Sequence, residues 1–398
     1  MLSMNKFNVS GCGGILVVMM STALGIALTS SIADAQTPVV GVEAAATAHY
    51  TQASKEEQAA WQEAVKKAGP PPSGGCYTIN YPDTTWKKGT CGEVSQKLPG
   101  PTHSVSNNIE SDTLGNLEIQ TSSRSAKSGT QTAGGGTDYA AKTTGITTSA
   151  IGTFPGASVR GLTDPTAGYS LQLNTNITKN PSFCPKIGFD SDCQVWQQFV
   201  YATSNLAPQP GPLGSVPAKN SQIYIQNWIF PSINDLLLLL ANKKQCPTGF
   251  QFFESGNISN SGCVSNSFAV TAPTIPVGAI SLVTLAGYAS VAGQGGTDTV
   301  MLTYNGNAYS VNQSDSTLDI GQVWTQSEFN IVGNGGGSGL DFKPGTALAV
   351  NLQVNDATTN PPKCLKNAGT TGETNNLTLG KCTAIGGTAP SIQFIESN

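Results

Sequence analysis

The chain is short of charge. Asp, Glu, Lys and Arg make up 11% of its 398 residues, against the roughly 25% usual in globular proteins. The formal net charge is -4 and no Lys/Arg run stands out, so the basic footprint of a nucleic-acid binder is missing; no nucleic acid is expected as a partner. Histidine is nearly absent as well. His49 and His103 both fall in the N-terminal third, which argues against a Ser-His-Asp triad or a Cys-His pair, since each needs an imidazole base. No G-x-S-x-G elbow occurs. No C-x-x-C occurs either, so no structural metal is expected and no cofactor is assigned. "GNGGGSG", Gly333 to Gly339, fails the G-x-G-x-x-G phosphate pattern because Ser338 stands where the third glycine belongs and no helical period follows. "DSD" at Asp190 to Asp192 lacks the glycine and closing glutamate of a calcium loop.

Long apolar runs are confined to the N-terminus. Lys6, the run "GGILVVMMSTALGIAL" and "ADA" at Ala33 to Ala35 read as a signal peptide over residues 1–35, cleaved near Gln36. The run is shorter than the roughly 20 residues of a membrane span. The mature chain is therefore expected in a secreted, extracellular or periplasmic setting, with no membrane association after cleavage. Eight of the nine cysteines lie beyond the signal: Cys76, Cys91, Cys184, Cys193, Cys246, Cys263, Cys364 and Cys382. They form four sequential pairs with short gaps. Spacing alone does not fix connectivity, but in an oxidising compartment each close pair is placed to staple one local loop, and four nearest-neighbour disulfides are expected.

What the sequence has in quantity is glycine, Ser/Thr/Asn and short β-branched or aromatic segments. One helix is signalled. "SKEEQAAWQEAVKKAG" carries Ser54 and Glu57 as a capping box and ends in lysines, Gly69 and three prolines that stop it. Residues 36–100 are expected to form an N-terminal helix and disulfide module, as a pro-segment, a cap or a decoration. Residues 101–155, rich in Ser, Thr and Gly, read as linker or loop, with a few edge strands as the alternative. Residues 156–398 read as one β-sandwich domain. "YSLQLNTNI", "QVWQQFVYATS", "SQIYIQNWIF", "DTVMLTYNGNAYSV", "SEFNIVG", "ALAVNLQV" and "SIQFIES" are strand-length and turn-bounded, which predicts a mainly β fold, an antiparallel sandwich or concanavalin-like jelly roll. Asn305-Gly306 marks a hairpin. Leu236 to Leu240 reads as a buried helical turn or a core strand.

Candidate site residues are carboxylates, amides and aromatics. In "SEFNIV", period two puts Phe329 and Ile331 on one face and Glu328, Asn330 and Val332 on the other. In "CQVWQQFVY", Gln197 and Gln198 must point to opposite faces, with Trp196 beside Gln198. "QIYIQNWIF" aligns Gln222, Tyr224, Gln226 and Trp228. Aromatics interleaved with amides suit a groove for a polar polymer, glycan or extended peptide. Trp196, Tyr224, Gln226, Trp228 and Asn330 are its expected ligand-binding residues. Glu373, in the loop between Cys364 and Cys382, reads as surface turn chemistry or as a groove rim.

The order of these strands resembles the glutamic endopeptidases, the eqolisins. "VWQQFVY" stands where that family has the strand of its catalytic glutamine, "QNWIFP" where it has a Tyr/Trp-rich strand ending in proline, and "SEFNIV" matches the opening of its second motif at Glu328 and Phe329. The similarity extends from Tyr169 to Thr346. It implies a secreted jelly roll with a groove, acid-pH endopeptidase chemistry, and a glutamine, Gln197 or Gln198, that stabilises an oxyanion. The position of the family's catalytic glutamate is Val332 here. Glu328 lies four residues from it, about 13 Å along a strand. Two readings follow: a protein that binds an extracellular polysaccharide or protein, and an acid hydrolase in which Glu328 is the general acid/base with Gln197 or Gln198 assisting.

Overall fold

A computed structural model describes residues 55–94, 131–203, 221–255, 260–290 and 296–398. The signal segment, Ser54 and both histidines lie outside the described residues. In chain order the elements are α1 (Lys55–Ala68), β1 (Gly75–Asn80), β2 (Lys87–Lys88), β3 (Thr132–Gly134), β4 (Ala140–Lys142), β5 (Ser149–Ser158), β6 (Tyr169–Asn174), β7 (Thr178–Lys179) and β8 (Gln194–Ala202). There follow β9 (Ser221–Phe230), α2 (Ile233–Leu240), β10 (Gln251–Phe253), β11 (Gly262–Asn266), β12 (Val270–Ala272), β13 (Thr284–Tyr288), β14 (Thr297–Tyr304), β15 (Asn307–Ser314) and β16 (Gln326–Gly333). The last are β17 (Gly339–Leu340), β18 (Ala347–Asn355), β19 (Lys363–Leu365), β20 (Thr374–Leu379), β21 (Thr383–Ile385) and β22 (Ser391–Ser397).

These strands make an antiparallel β-sandwich. One sheet runs β17-β20-β22-β18-β5-β13-β14-β15-β1-β2, and the other β10-β11-β9-β8-β6-β16-β4-β19. Among the described pairs only β17 with β20 is parallel. Asn305 and Gly306 take positive φ at the β14–β15 turn, which a two-residue hairpin of the I′ kind requires. All four nearest-neighbour disulfides are formed: Cys76–Cys91, Cys184–Cys193, Cys246–Cys263 and Cys364–Cys382.

The N-terminal segment is integrated into the sandwich. β1 pairs with β15 from Gly75 opposite Asn312 to Asn80 opposite Asn307. Trp61 and Val65 of α1 pack with Ile79, Ile151, Ala286, Met301 and Ala308, which point away from the facing sheet. Trp61 Nε1 donates to the Asp83 carbonyl at 2.6 Å, and Gly69, at positive φ, caps the helix through its N–H to Val65 O and Lys66 O. α2 settles the leucine run as a helix: Ser232 Oγ accepts from Asp235 N as N-cap, and Leu236 and Leu239 are buried.

Residues 131–155 correct the linker expectation, because they supply β3, β4 and most of β5. Their small side chains hid them, and the packing explains why they are small. A Cβ on Gly152 of β5 would lie 2.2 Å from the Phe329 ring, and one on Gly287 of β13 would lie 2.3 Å from the Phe199 ring. Gly152 pairs with Leu285, and Gly287 with Ala150. The two glycines thus make neighbouring hollows in one sheet for two aromatic rings of the other. Phe154 closes the first, with its ring centroid 5.0 Å from that of Phe329.

Filling either hollow forces the sheets apart or the ring off its rotamer. Gly152→Ala and Gly287→Ala are each expected to lose ~2 kcal/mol or more of unfolding free energy, read from denaturant midpoints. The control Gly156→Ala faces only the Ala349 Cβ at ordinary contact distance and should shift the midpoint far less.

Candidate functional site

With Phe329 and Phe199 committed to the core, strand alternation turns Glu328 and Gln198 to the opposite face of their sheet. The pairing register then aligns them. Glu328 of β16 sits opposite Asn174 of β6, Asn174 opposite Gln198 of β8, Gln198 opposite Gln226 of β9, and Gln226 opposite Asn266 of β11. The result is one polar row across five strands. Trp196, Trp228 and Val264 form the row on one side of it, and Gln172, Val200 and Tyr224 the row on the other.

Hydrogen bonds run along the row. Gln198 Nε2 donates to Asn174 Oδ1 at 3.3 Å and to Gln172 Oε1 at 3.0 Å. Asn174 Nδ2 donates to Glu328 Oε2 at 3.3 Å. Gln226 Nε2 donates to Asn266 Oδ1 at 3.0 Å, and its Oε1 accepts from Trp228 Nε1 at 3.1 Å. Glu328 and Gln198 are therefore joined through one amide. Gln197 is not part of this face. It points between the sheets, where its Nε2 donates to Asp298 Oδ2 at 3.0 Å, so of the two candidate glutamines only Gln198 shares a network with Glu328. Val332 pairs with Ser170, and Ser170 with Ala202; it occupies a different row from Gln198.

The row is covered. Residues 366–373 fold over it, and Thr370 supplies the main contacts. Its backbone N and its Oγ1 each donate to Glu328 Oε2 at 2.7 Å, and its Oγ1 accepts from Trp196 Nε1 at 3.2 Å. Gly369 permits this approach, since a Cβ there would lie 2.9 Å from Asp138 Cβ and from Glu328 Oε1. Glu373, expected at the surface or the rim, is buried instead. Its Oε2 accepts from Gln172 Nε2 at 3.4 Å and from the Thr371 hydroxyl, and its Oε1 from Gly337 N at 3.2 Å. Trp196, Tyr224 and Trp228, expected as open stacking surfaces, are at most 1% exposed. Phe253, Ile177 and Val264 pack against the two tryptophans, and Val94 and Ala269 against Tyr224. Short segments the sequence reading did not place on this face, β10 and residues 93–94, close it.

Asn330 links the row to a second carboxyl group set. Its Nδ2 donates to Asp138 Oδ2 at 2.8 Å and to Glu396 Oε2 of the facing sheet at 3.2 Å. Burial raises the pKa of all three carboxyls. Asp138 is pushed well above the usual carboxylate range, first by desolvation and then by the charges of Glu328 and Glu396. Glu396 is pushed to about 8 by desolvation, against hydrogen bonds from Asn330 and Asn375. Desolvation also raises Glu328, opposed by Thr370 and Asn174. Such groups hold protons into the range where exposed carboxyls are ionised, which suits proton donation. Among the described residues no group of three or more His, Cys, Asp or Glu is arranged to hold a metal.

Asn174, Gln172, Asp138, Glu396 and Thr370 were not singled out from the sequence. The first two had a signal, since Ser170, Gln172 and Asn174 alternate with Leu171 and Leu173 as a polar face on a strand. The others meet the site only through long-range folding.

No protein-family model matches the chain. No curated protein matches it. Among solved structures, one of scytalido-glutamic peptidase with a peptide-based transition state analog is similar at 11% identity and a TM-score of 0.26, over 65% of this chain and 98% of that one. One of SCP-B, a member of the eqolisin family, with the tripeptide Ala-Ile-His, is similar at 9% identity and a TM-score of 0.24, over 65% and 97%. Likeness at this level establishes neither a shared fold nor a shared activity.

The raised carboxyls fix the sign of the pH dependence of stability. Folded Glu396 keeps its proton to about pH 8, whereas an ordinary glutamate loses it near 4.5. Between those values the folded state binds more protons than the unfolded state, so stability falls as pH rises. Asp138 and Glu328 add the same sign; Asp356, lowered to about 2, opposes it only below about pH 4. The melting temperature is expected to peak near pH 4 to 5 and to decline toward pH 8, and Glu396→Gln should flatten that decline. A wild-type profile rising from pH 5 to 8 would contradict the burial argument.

Proposed function

We propose that this is a secreted, disulfide-stapled β-sandwich protein that binds an extended extracellular polymer, glycan or peptide, along the row of Glu328, Asn174, Gln198 and Gln226. The observation that carries the reading is the register: four strands present one polar side chain each at the same level, on the face turned away from the core and flanked by Trp196 and Trp228. Amides satisfy a polar chain without charge, and indoles beside them give it apolar surface. Four disulfides are the covalent chemistry of an oxidising compartment, which supports secretion. Access to the row requires the 366–373 loop to move, because Thr370 occupies Glu328 and Trp196, and Glu373 occupies Gln172 on the neighbouring row.

A second reading, acid hydrolysis, is favoured by one feature. Glu328 combines a pKa raised by burial with a link through Asn174 to the Gln198 amide. A carboxyl that keeps its proton donates it to a leaving group, while a carboxamide N–H stabilises a developing oxyanion. In this reading Gln198, not Gln197, is the assisting glutamine, and Glu328 takes the role of general acid/base without a carboxylate at 332, which their shared row supports.

Both readings are tested on mature protein with insoluble polysaccharides, cell walls and denatured protein between pH 3 and 7. Retention by one of these is expected, and Gln198→Ala should weaken it about tenfold, the effect of ~1.4 kcal/mol. Absence of retention both by wild type and by a Thr370→Ala, Glu373→Gln variant, in which the covering loop is loosened, would remove the binding reading. Release of soluble fragments that disappears in Glu328→Gln, with retention intact, would select the hydrolase.

A further inference from the structure

The loop that covers the polar row is itself a polar peptide, and its hydrogen bonds reach one member of the row, Glu328, and one side chain on each flanking row, Trp196 and Gln172. Glu328 Oε2 accepts both the backbone N–H and the hydroxyl of Thr370. Trp196 Nε1 donates to that hydroxyl. Three residues on, the Glu373 carboxylate accepts from Gln172 Nε2 on the neighbouring row. From this complementarity we infer that the 368–374 segment is a built-in occupant of the site, and that the external ligand is a peptide with a hydroxylated residue and, three residues later, an acidic one. The inference rests on the row being a binding face, as proposed above, and narrows its ligand class.

Two features select peptide over glycan. The shortest contacts include a main-chain N–H donated to a carboxylate, a group that a sugar chain without N-acyl substituents does not have. Glu373 is met by a carboxamide N–H from Gln172 and a main-chain N–H from Gly337, donors suited to a carboxylate. The loop is tethered at both ends, by β19 and β20, with Cys364–Cys382 bracketing it. Tethering gives it an effective concentration in the millimolar range, so a free peptide of the same sequence competes poorly until the loop's own contacts are weakened. The loop is then both an indicator of specificity and an autoinhibitory contact.

The test uses full-length mature protein, the fluorescein-labelled peptide AGTTGET (the sequence of residues 368–374) and the control AGAAGQT, read by fluorescence polarisation. Thr370→Ala combined with Glu373→Gln removes the loop's side-chain contacts and leaves the groups of the row intact. The double variant is expected to bind AGTTGET at least tenfold more tightly than wild type does and to discriminate against AGAAGQT; its tryptophan fluorescence should be more readily quenched by acrylamide as Trp196 is uncovered. A folded double variant with no gain in peptide binding overturns the inference. Should the double variant not fold, hydrogen exchange on the wild type decides: the Thr370 amide is expected to exchange through local opening, faster than amides of β8 and β16, and exchange only with global unfolding overturns the inference. Wild-type retention of a polysaccharide with no peptide binding by the variant would overturn the peptide assignment and keep the binding face. Peptide binding by the variant with no polymer retained by wild type supports the inference and shows the closed form to be inactive.

Discussion

Phe329 fills the space that any side chain on Gly152 would need, and Phe199 does the same at Gly287. This pair of ring-in-hollow contacts sets more than the distance between the sheets. Each phenylalanine is the neighbour in sequence of a site residue, and on a strand neighbours point to opposite faces. Committing Phe329 and Phe199 to the core therefore commits Glu328 and Gln198 to the far face. A shift of one residue in either strand would bury Glu328 or Gln198 among core side chains and expose a phenylalanine, a change the core does not tolerate. The polar row is in this sense a consequence of apolar packing on the other side of the same sheet.

The same logic separates the two glutamines. Gln197 lies two residues from Phe199 and shares its face, so it enters the space between the sheets, where Asp298 takes up its amide. Asp298 is itself buried, and its pKa is raised by desolvation and then by Asp315. A buried amide beside a carboxyl that tends to hold its proton is a neutral hydrogen-bonding arrangement, tolerable inside a core where an ion pair costs more to desolvate. Its neighbour Gln198 instead joins Asn174, Gln172 and Glu328. One dipeptide thus serves two polar networks on opposite sides of a sheet.

Much of the framework was legible in the sequence because it depends on local chemistry. Strand period, the Asn305-Gly306 turn, the stop after Ala68 and the short gaps between cysteines are all nearest-neighbour signals. Strands β3 to β5 were not legible, since "SAIGTFPGAS" owes Gly152 to the ring of Phe329, more than 100 positions away in the chain. The alternation of "SEFNIV" and "CQVWQQFVY" correctly grouped Glu328 with Asn330 and Trp196 with Gln198, but alternation yields faces and not rows. Which residue of β16 stands level with Gln198 depends on two interstrand registers through β6, and those depend on Phe329 and Phe199 finding their hollows. For the same reason the aromatics misled: Trp196, Tyr224 and Trp228 are spaced as a groove lining would be, and only the return of Phe253, Val94 and the 366–373 loop across them shows that they are packed.

That return also accounts for the concentration of buried carboxyls in a chain otherwise poor in charge. Glu328, Glu373, Asp138 and Glu396 are all buried, and none forms a salt bridge among the described residues. Their partners are amides, hydroxyls and main-chain N–H groups, each of which stays neutral at every pH. A site built from such partners does not lose its hydrogen-bond donors when carboxyls gain protons, whereas a Lys or Arg pairing would lose its counter-charge and leave a buried cation unpaired. Scarcity of charge, an abundance of Asn, Gln and Thr, and the raised pKa values of Glu328, Asp138 and Glu396 are then three expressions of one constraint: a buried polar face whose hydrogen bonds are made without ion pairs.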